Sequence, residues 1–127
     1  MTDALLAAKA ALRVRMREVR ASCDPRLAAD LVRHILHTAA PPPGAVVAGF
    51  WPLPDEVDIR PLLGALHERG HVVVLPQTPR RGGTLMFRAW QPGAAMIAEP
   101  FGTFRPDGEE RRPDWLLVPL LAFDRGG

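Results

Sequence analysis

The apolar positions of this chain follow two different rhythms. Up to about Thr38 they recur every three or four residues, and beyond Pro43 they gather into short runs separated by turn residues. From Asp3 to about Arg20, the residues Leu5, Ala8, Leu12, Met16 and Val19 draw one apolar stripe, the signature of an amphipathic helix. Ser22-Cys23-Asp24-Pro25 stops that helix and starts a second, with Asp24 able to cap it and Pro25 suited to its first position. The second helix runs to about Thr38 and turns Leu27, Ala28, Leu31, Val32 and Ile35 inward. Ala39-Ala40-Pro41-Pro42-Pro43-Gly44 fits neither a helix nor a central strand and marks a linker.

The runs that follow read as strands of a buried sheet. They are Ala45–Trp51, Val72–Pro76, Thr84–Trp90 and Trp115–Pro119, rich in small, β-branched and aromatic residues. Between the first two lies a helix from Asp58 to Arg69, with Pro61 in its first turn and Gly70 at its C-terminal cap. Strand, helix and strand within about thirty residues form a βαβ unit, whose crossover makes the two strands parallel. The fourth run is expected to join the same sheet in parallel. Residues 91–113 are rich in turn formers and predict no regular element. The pattern therefore gives one α/β domain over residues 1–127: a helical pair at 1–38 and a mostly parallel sheet at 45–127.

Composition narrows the possibilities. The 127 residues are 47% apolar and 24% charged, ordinary values for a globular protein of one domain. With 16 Lys+Arg against 14 Asp+Glu, the net charge is +2, too small for the dense basic patch of a nucleic-acid binder. The single cysteine, Cys23, excludes an internal disulfide and fits a reducing cytoplasm. No apolar run reaches the roughly 18–20 residues of a membrane helix, and residues 1–20 lack the apolar core of a signal peptide. The histidines His34, His37, His67 and His71 have no companions at metal-ligand spacing.

Two segments carry candidate chemistry. Phe50-Trp51-Pro52-Leu53-Pro54-Asp55-Glu56-Val57-Asp58 joins the first strand to its helix, the position at which an α/β sheet presents ligand-binding groups. Asp55 and Asp58 there also suit the positive end of the following helix. Glu56, beside Phe50 and Trp51, is the better ligand residue, since an aromatic wall with one acid suits a flat, hydrogen-bonding molecule. Lys9, Arg13, Arg17 and Arg20 share one sector of the first helix, which reads either as a solvated face or as a polyphosphate site. Near the end, an apolar run meets Asp124, Gly126 and Gly127, where glycine would let backbone amides approach a phosphate.

Taken in order, several pieces resemble one family. They are Lys9-x-x-Leu12-Arg13, the acidic turn from Pro52 to Asp58, Val74-Leu75-Pro76, Leu85-x-Phe87 and Glu99-Pro100. Last comes Pro113-Asp114, leading into Leu117-Val118-Pro119-x-x-Ala122-Phe123-Asp124-x-x-Gly127. This series is similar to 5-formyltetrahydrofolate cyclo-ligase, also called methenyltetrahydrofolate synthetase, and spans the chain from Lys9 onward. The resemblance implies an open, mostly parallel sheet with flanking helices in three layers, NagB/RpiA/CoA-transferase-like. It implies a carbon–nitrogen ligase that uses ATP and Mg2+ to convert 5-formyltetrahydrofolate to 5,10-methenyltetrahydrofolate. It also implies a cytoplasmic monomer that binds neither nucleic acid nor membrane.

By the same resemblance, Lys9 and Arg13, with Asp124 and Gly127, correspond to ATP contacts. Glu56 corresponds to the carboxylate that binds the folate ring, with Phe50 and Trp51 as wall. No catalytic residue and no metal ligand is assigned. Two departures stand out: Gln77 follows Pro76 where the family often has a basic residue, Arg80 and Arg81 being the nearest cations, and the family's Arg-Leu-Gly, Gly-rich phosphate loop and Tyr-Tyr-Asp ending are missing after Gly127. The expectation is then a chain with its C-terminal part absent, which keeps part of the folate pocket but does not turn over. The alternative is an inactive folate- or nucleotide-binding remnant.

Overall fold

The computed structural model describes residues 2–126 and is an α/β fold built on a short, twisted sheet. Two helices lead the chain, α1 at Asp3–Ala21 and α2 at Leu27–Thr38. Next come β1 at Val47–Ala48, α3 at Arg60–Glu68, β2 at Val73–Gln77 and β3 at Met86–Trp90. The pair β4 at Met96–Ala98 and β5 at Phe104–Pro106 follows, and β6 at Trp115–Leu116 is last.

The main sheet has the order β3-β2-β1-β6. β1 is parallel to β2, with Val47 beside Val73, and parallel to β6, with Val47 beside Trp115. The crossover through α3 produces that direction, as the βαβ pattern predicts. β3 returns antiparallel to β2, so the sheet is mixed and mostly parallel. The regular strands are shorter than the apolar runs suggest. Hydrogen bonds from Gly49 to Val74 and from Leu117 to Ala48 carry the ladder slightly past β1 and β6. Pro52 and Pro54 then remove backbone donors, as Pro119 does after β6, and the chain peels away.

Burial explains the composition of these runs. Val47, Val73 and Leu75 pack with Ile59, Leu62, Leu63, Leu66 and Trp90 in one core cluster. Ala48 and Val74, which point to the opposite face, are buried as well. Each fully buried Leu or Val contributes about 1.5–3 kcal/mol relative to exposure. α2 closes this side through Val32, Ile35 and Leu36, while Leu27, expected inward, is exposed. His71 is also buried, and its ring Nδ1 donates to the carbonyl of Ala45 at 2.8 Å.

The structure departs from the sequence pattern in two places. The stripe on α1 is real, but the helix has no buried residue, and of its five members only Met16 is half-buried. The segment 91–113, read as having no regular element, contains the antiparallel pair β4–β5, joined through a short 3-10 turn at Pro100–Gly102. Its strands are three residues each, too short for alternation to stand out. The signal that could have found it is the apolar triplet Met96-Ile97-Ala98, set off from Phe104 by a Pro-x-Gly turn.

Candidate functional site

Two clefts open beyond the ends of neighbouring strands. The first, of about 910 Å³, lies between the end of α1, the start of α2, the turn after β1 and the segment after β6. Its walls are mainly apolar, from Leu27, Leu31, Phe50, Ile59, Leu117 and Leu120, and its polar groups come from Arg20 and the acids of the turn. The parallel strands bring these groups together, because the chain leaves both β1 and β6 at the same edge of the sheet.

Arg20 organises the acidic turn. Its Nη2 donates to both carboxylate oxygens of Asp55, at 3.1 and 3.0 Å, and its Nη1 lies 3.9 Å from Glu56 Oε2. The hydrogen bond from Arg20 holds the Asp55 carboxyl below its ordinary range, with a further small contribution from Arg17. Arg20 Nε is buried and finds no partner among the described residues. Glu56 is mostly buried, with Oε1 accepting from the backbone N–H of Leu53 at 2.7 Å. Its second oxygen, Oε2, accepts no hydrogen bond among the described residues and so keeps acceptor capacity, and Glu56 lines the groove.

Asp58 plays a local part. Its carboxylate accepts from the backbone and side chain of Arg60, which lowers its pKa and ties down the entry to α3. The helix starts at Arg60 rather than at Asp58, so the acid acts just before the cap position. Asp24 behaves in the same way before α2, accepting from Arg26.

Of the residues expected to bind folate, Phe50 and Glu56 line the groove and Trp51 does not. Trp51 packs against Trp90, with ring centroids 6.3 Å apart, and the guanidinium of Arg60 lies 5.6 Å from its ring. Of the residues expected to bind ATP, Lys9 and Arg13 are exposed on α1 outside the groove. They project within about 20° of Arg20 around the helix, roughly 16 and 10 Å further toward its start. Asp124 is exposed and accepts from the N–H of Gly126 at 2.8 Å, a closed local turn. Gly127 lies outside the described residues.

Sequence reasoning missed Arg20 as a structural partner, because spacing along α1 grouped it with a solvated face. It also missed Glu99, which is almost fully buried and accepts from both the N–H and the hydroxyl of Thr78. Phe101 was missed too: it is almost fully exposed and held at φ 68°. Among the described residues no group of three or more His, Cys, Asp or Glu side chains could hold a metal ion. Nor, among the described residues, is any helix long and apolar enough to cross a membrane.

The second cleft, of about 930 Å³, lies beyond β2 and is lined by the turn from Gln77 to Phe87 and by Glu110–Pro113. Register carries the comparison between the two clefts: Ala48 is level with Val74, so Trp51 extrapolates to the level of Gln77.

No family profile and no curated protein matches the chain. A solved structure does: that of 5,10-methenyltetrahydrofolate synthetase from Aquifex aeolicus, at 22% identity and a TM-score of 0.75. The match covers 91% of this chain and 62% of that one, so the chain spans less than two thirds of the length of the protein it matches. This chain has the fold of the Aquifex aeolicus methenyltetrahydrofolate synthetase.

Proposed function

We propose that this chain serves a folate cyclo-ligase reaction, binding 5-formyltetrahydrofolate for its ATP-dependent conversion to 5,10-methenyltetrahydrofolate, ADP and phosphate. The observation that carries the reading is the groove at the ends of β1 and β6, where Phe50 and a braced Glu56 meet in a mainly apolar cleft. A pterin is flat, and its ring N–H groups need an acceptor. Phe50 supplies a face and Glu56 Oε2 supplies the acceptor, while Arg20 and the Leu53 N–H keep that carboxylate in place.

The chemistry follows from the substrate. A formyl oxygen on nitrogen is a poor leaving group, so it attacks the γ-phosphate of ATP and displaces ADP. N10 then attacks the formyl carbon, loses its proton, and the oxygen departs as phosphate. Such a sequence rests on alignment and exclusion of water rather than on a protein nucleophile. The apolar walls of the groove suit that role. In this reading Lys9 and Arg13 offer cations to the triphosphate, joined by Asp124 and Gly127. Asp55, Glu56 and Asp58 are each held by an arginine or a backbone N–H, so they do not fit a protein-bound Mg2+. Magnesium enters only as the counter-ion of ATP. The same reading gives the three-layer, NagB/RpiA/CoA-transferase-like arrangement to the fold, and a cytoplasmic monomer without nucleic-acid or membrane partners.

The test is calorimetric titration of the chain with 5-formyltetrahydrofolate, followed by Mg-ATP and the absorbance of the methenyl product. Saturable binding that Glu56→Ala abolishes is expected. Absence of binding by the folded native chain would overturn the reading.

A further inference from the structure

Arg80, Arg111 and Arg112 make the cleft beyond β2 basic, whereas acids outnumber cations in the groove beyond β1. Among the described residues lining that groove, Arg20 is the one basic side chain beside Asp24, Asp55, Glu56 and Asp58. Asp24 and Asp58 each keep an arginine of their own, Arg26 at 2.7 Å and Arg60 at 2.8 Å. Asp55 and Glu56 are left to share Arg20.

The sharing is uneven. Arg20 Nη2 donates to both oxygens of Asp55, at 3.1 and 3.0 Å, while Nη1 stops 3.9 Å from Glu56 Oε2, beyond hydrogen-bond reach. Burial favours the opposite division. The Glu56 side chain is 13% exposed against 35% for Asp55, so its charge has the greater need of a partner. Arg20 also has donors to spare, since its Nε is buried and unpartnered among the described residues. A movement of about 1 Å would turn the Nη1 approach into a charge-assisted hydrogen bond of about 2.9 Å. The two-oxygen grip of Asp55 opposes that movement, because it fixes the orientation of the planar guanidinium.

We propose that Asp55 is a positioning residue: by holding Arg20 it keeps the guanidinium off Glu56 Oε2 and reserves that oxygen for the ring donors of the ligand. The ligand half of this inference rests on the folate reading above, and the geometric half does not. Loss of Asp55 then does more than loosen the turn. Arg20 moves to Glu56 and fills the acceptor with its own donors, so a pterin has to displace an ion pair in order to bind. The neighbouring acids have opposite duties, one to receive the ligand and one to restrain the cation beside it.

Calorimetric titration of 5-formyltetrahydrofolate into the native chain, Asp55→Asn, Arg20→Gln and the double variant tests the proposal. Asp55→Asn is expected to bind about tenfold more weakly, since a charged hydrogen bond must be broken first. Adding Arg20→Gln removes the intruding cation and is expected to restore affinity to within about threefold of native, although it also removes a fastening of α1. A bracing role for Arg20 gives the reverse order. A double variant that binds more weakly than Asp55→Asn would overturn the proposal. If Asp55→Asn does not fold, Arg20→Gln alone decides: affinity within about threefold of native supports a restrained cation, and a loss of about tenfold marks a brace. The crystal structure of ligand-free Asp55→Asn separates this inference from the folate reading. Arg20 within about 3 Å of Glu56 upholds it even where no folate binds, and a guanidinium that stays on residue 55 overturns it whatever binds. Absence of folate binding by the folded native chain refutes the folate reading alone.

Discussion

Arg20 and Asp55 are 35 residues apart and share a two-oxygen contact, with Arg20 Nη2 at 3.1 and 3.0 Å from the carboxylate. That contact fastens the end of α1 to the turn after β1. It matters because α1 has no buried residue of its own, and its attachment rests on Met16 and Arg20, the two residues of the helix that are partly sheltered. Without the pair, the groove loses one of its walls.

The pair makes stability depend on pH in a definite direction. Because Arg20 holds the Asp55 carboxyl below its unfolded value near 3.9, the charged form is favoured in the folded state. The stabilisation is complete above that value and is lost as the pH falls through the lower, folded one. Urea unfolding of the native chain and of Asp55→Asn, compared from neutral pH downward, is expected to show a constant difference until about pH 4. Below that the two curves converge. A difference that stays the same into strong acid would mean the ion pair is not its source.

Glu56 lies in the same turn but has a different duty. Glu56→Gln keeps an oxygen for the Leu53 N–H and removes the charge facing Arg20 and the groove. Folate binding is expected to weaken by about 1–3 kcal/mol, since an amide mismatches ring donors. ATP binding is expected to be unchanged. Equal losses for both ligands, measured separately by calorimetry, would make Glu56 a brace of the turn and no more.

Much of this was legible in the sequence. The βαβ unit around α3 follows from two apolar runs, a helix with Pro61 in its first turn, and Gly70 at φ 91° after it. Their parallel direction, and the placing of Phe50 and Glu56 at the open end, follow in turn. Periodicity could not tell that the stripe on α1 would lie open, because it reports which face is apolar and not what covers it. Nor could it place Arg20, whose partner is distant in sequence. The basic cleft was unreadable for a similar reason: Arg80 comes from the turn after β2, whereas Arg111 and Arg112 come from a strip beyond the β4–β5 pair.

Phe101 is an exposed aromatic in the left-handed region, followed by Gly102 at φ 73°. A side chain there costs about 1 kcal/mol that glycine or asparagine largely avoids. Phe101→Gly and Phe101→Asn are expected to unfold within about 0.5 kcal/mol of the native chain, since little burial is lost. Phe101→Val, with a branched Cβ, is expected to be destabilised by more than about 1 kcal/mol. Thermal denaturation of the three variants checks the order. Loss of stability in the glycine variant equal to that in the valine variant would show that the ring makes contacts that matter.

Glu99 joins the β4–β5 pair to the main sheet, and its removal should be felt in both stability and the basic cleft. Its oxygens accept from the Thr78 N–H at 3.2 and 3.0 Å and from the Thr78 hydroxyl at 3.3 Å, and Arg105 Nε lies 3.8 Å away. Glu99→Ala leaves the Thr78 N–H half-buried without an acceptor, while the Thr78 hydroxyl keeps Thr103 Oγ1 at 3.3 Å, a loss of about 1–3 kcal/mol by urea unfolding. Glu99→Gln keeps one acceptor oxygen and should recover part of it. Thr78 begins the turn that carries Arg80, so the alanine variant is also expected to loosen that turn. Backbone amide exchange at Gly83, whose N–H donates to Arg80, should then rise in Glu99→Ala and stay near native in Glu99→Gln. Unchanged exchange at Gly83 with full loss of stability would confine Glu99 to packing the pair against the sheet.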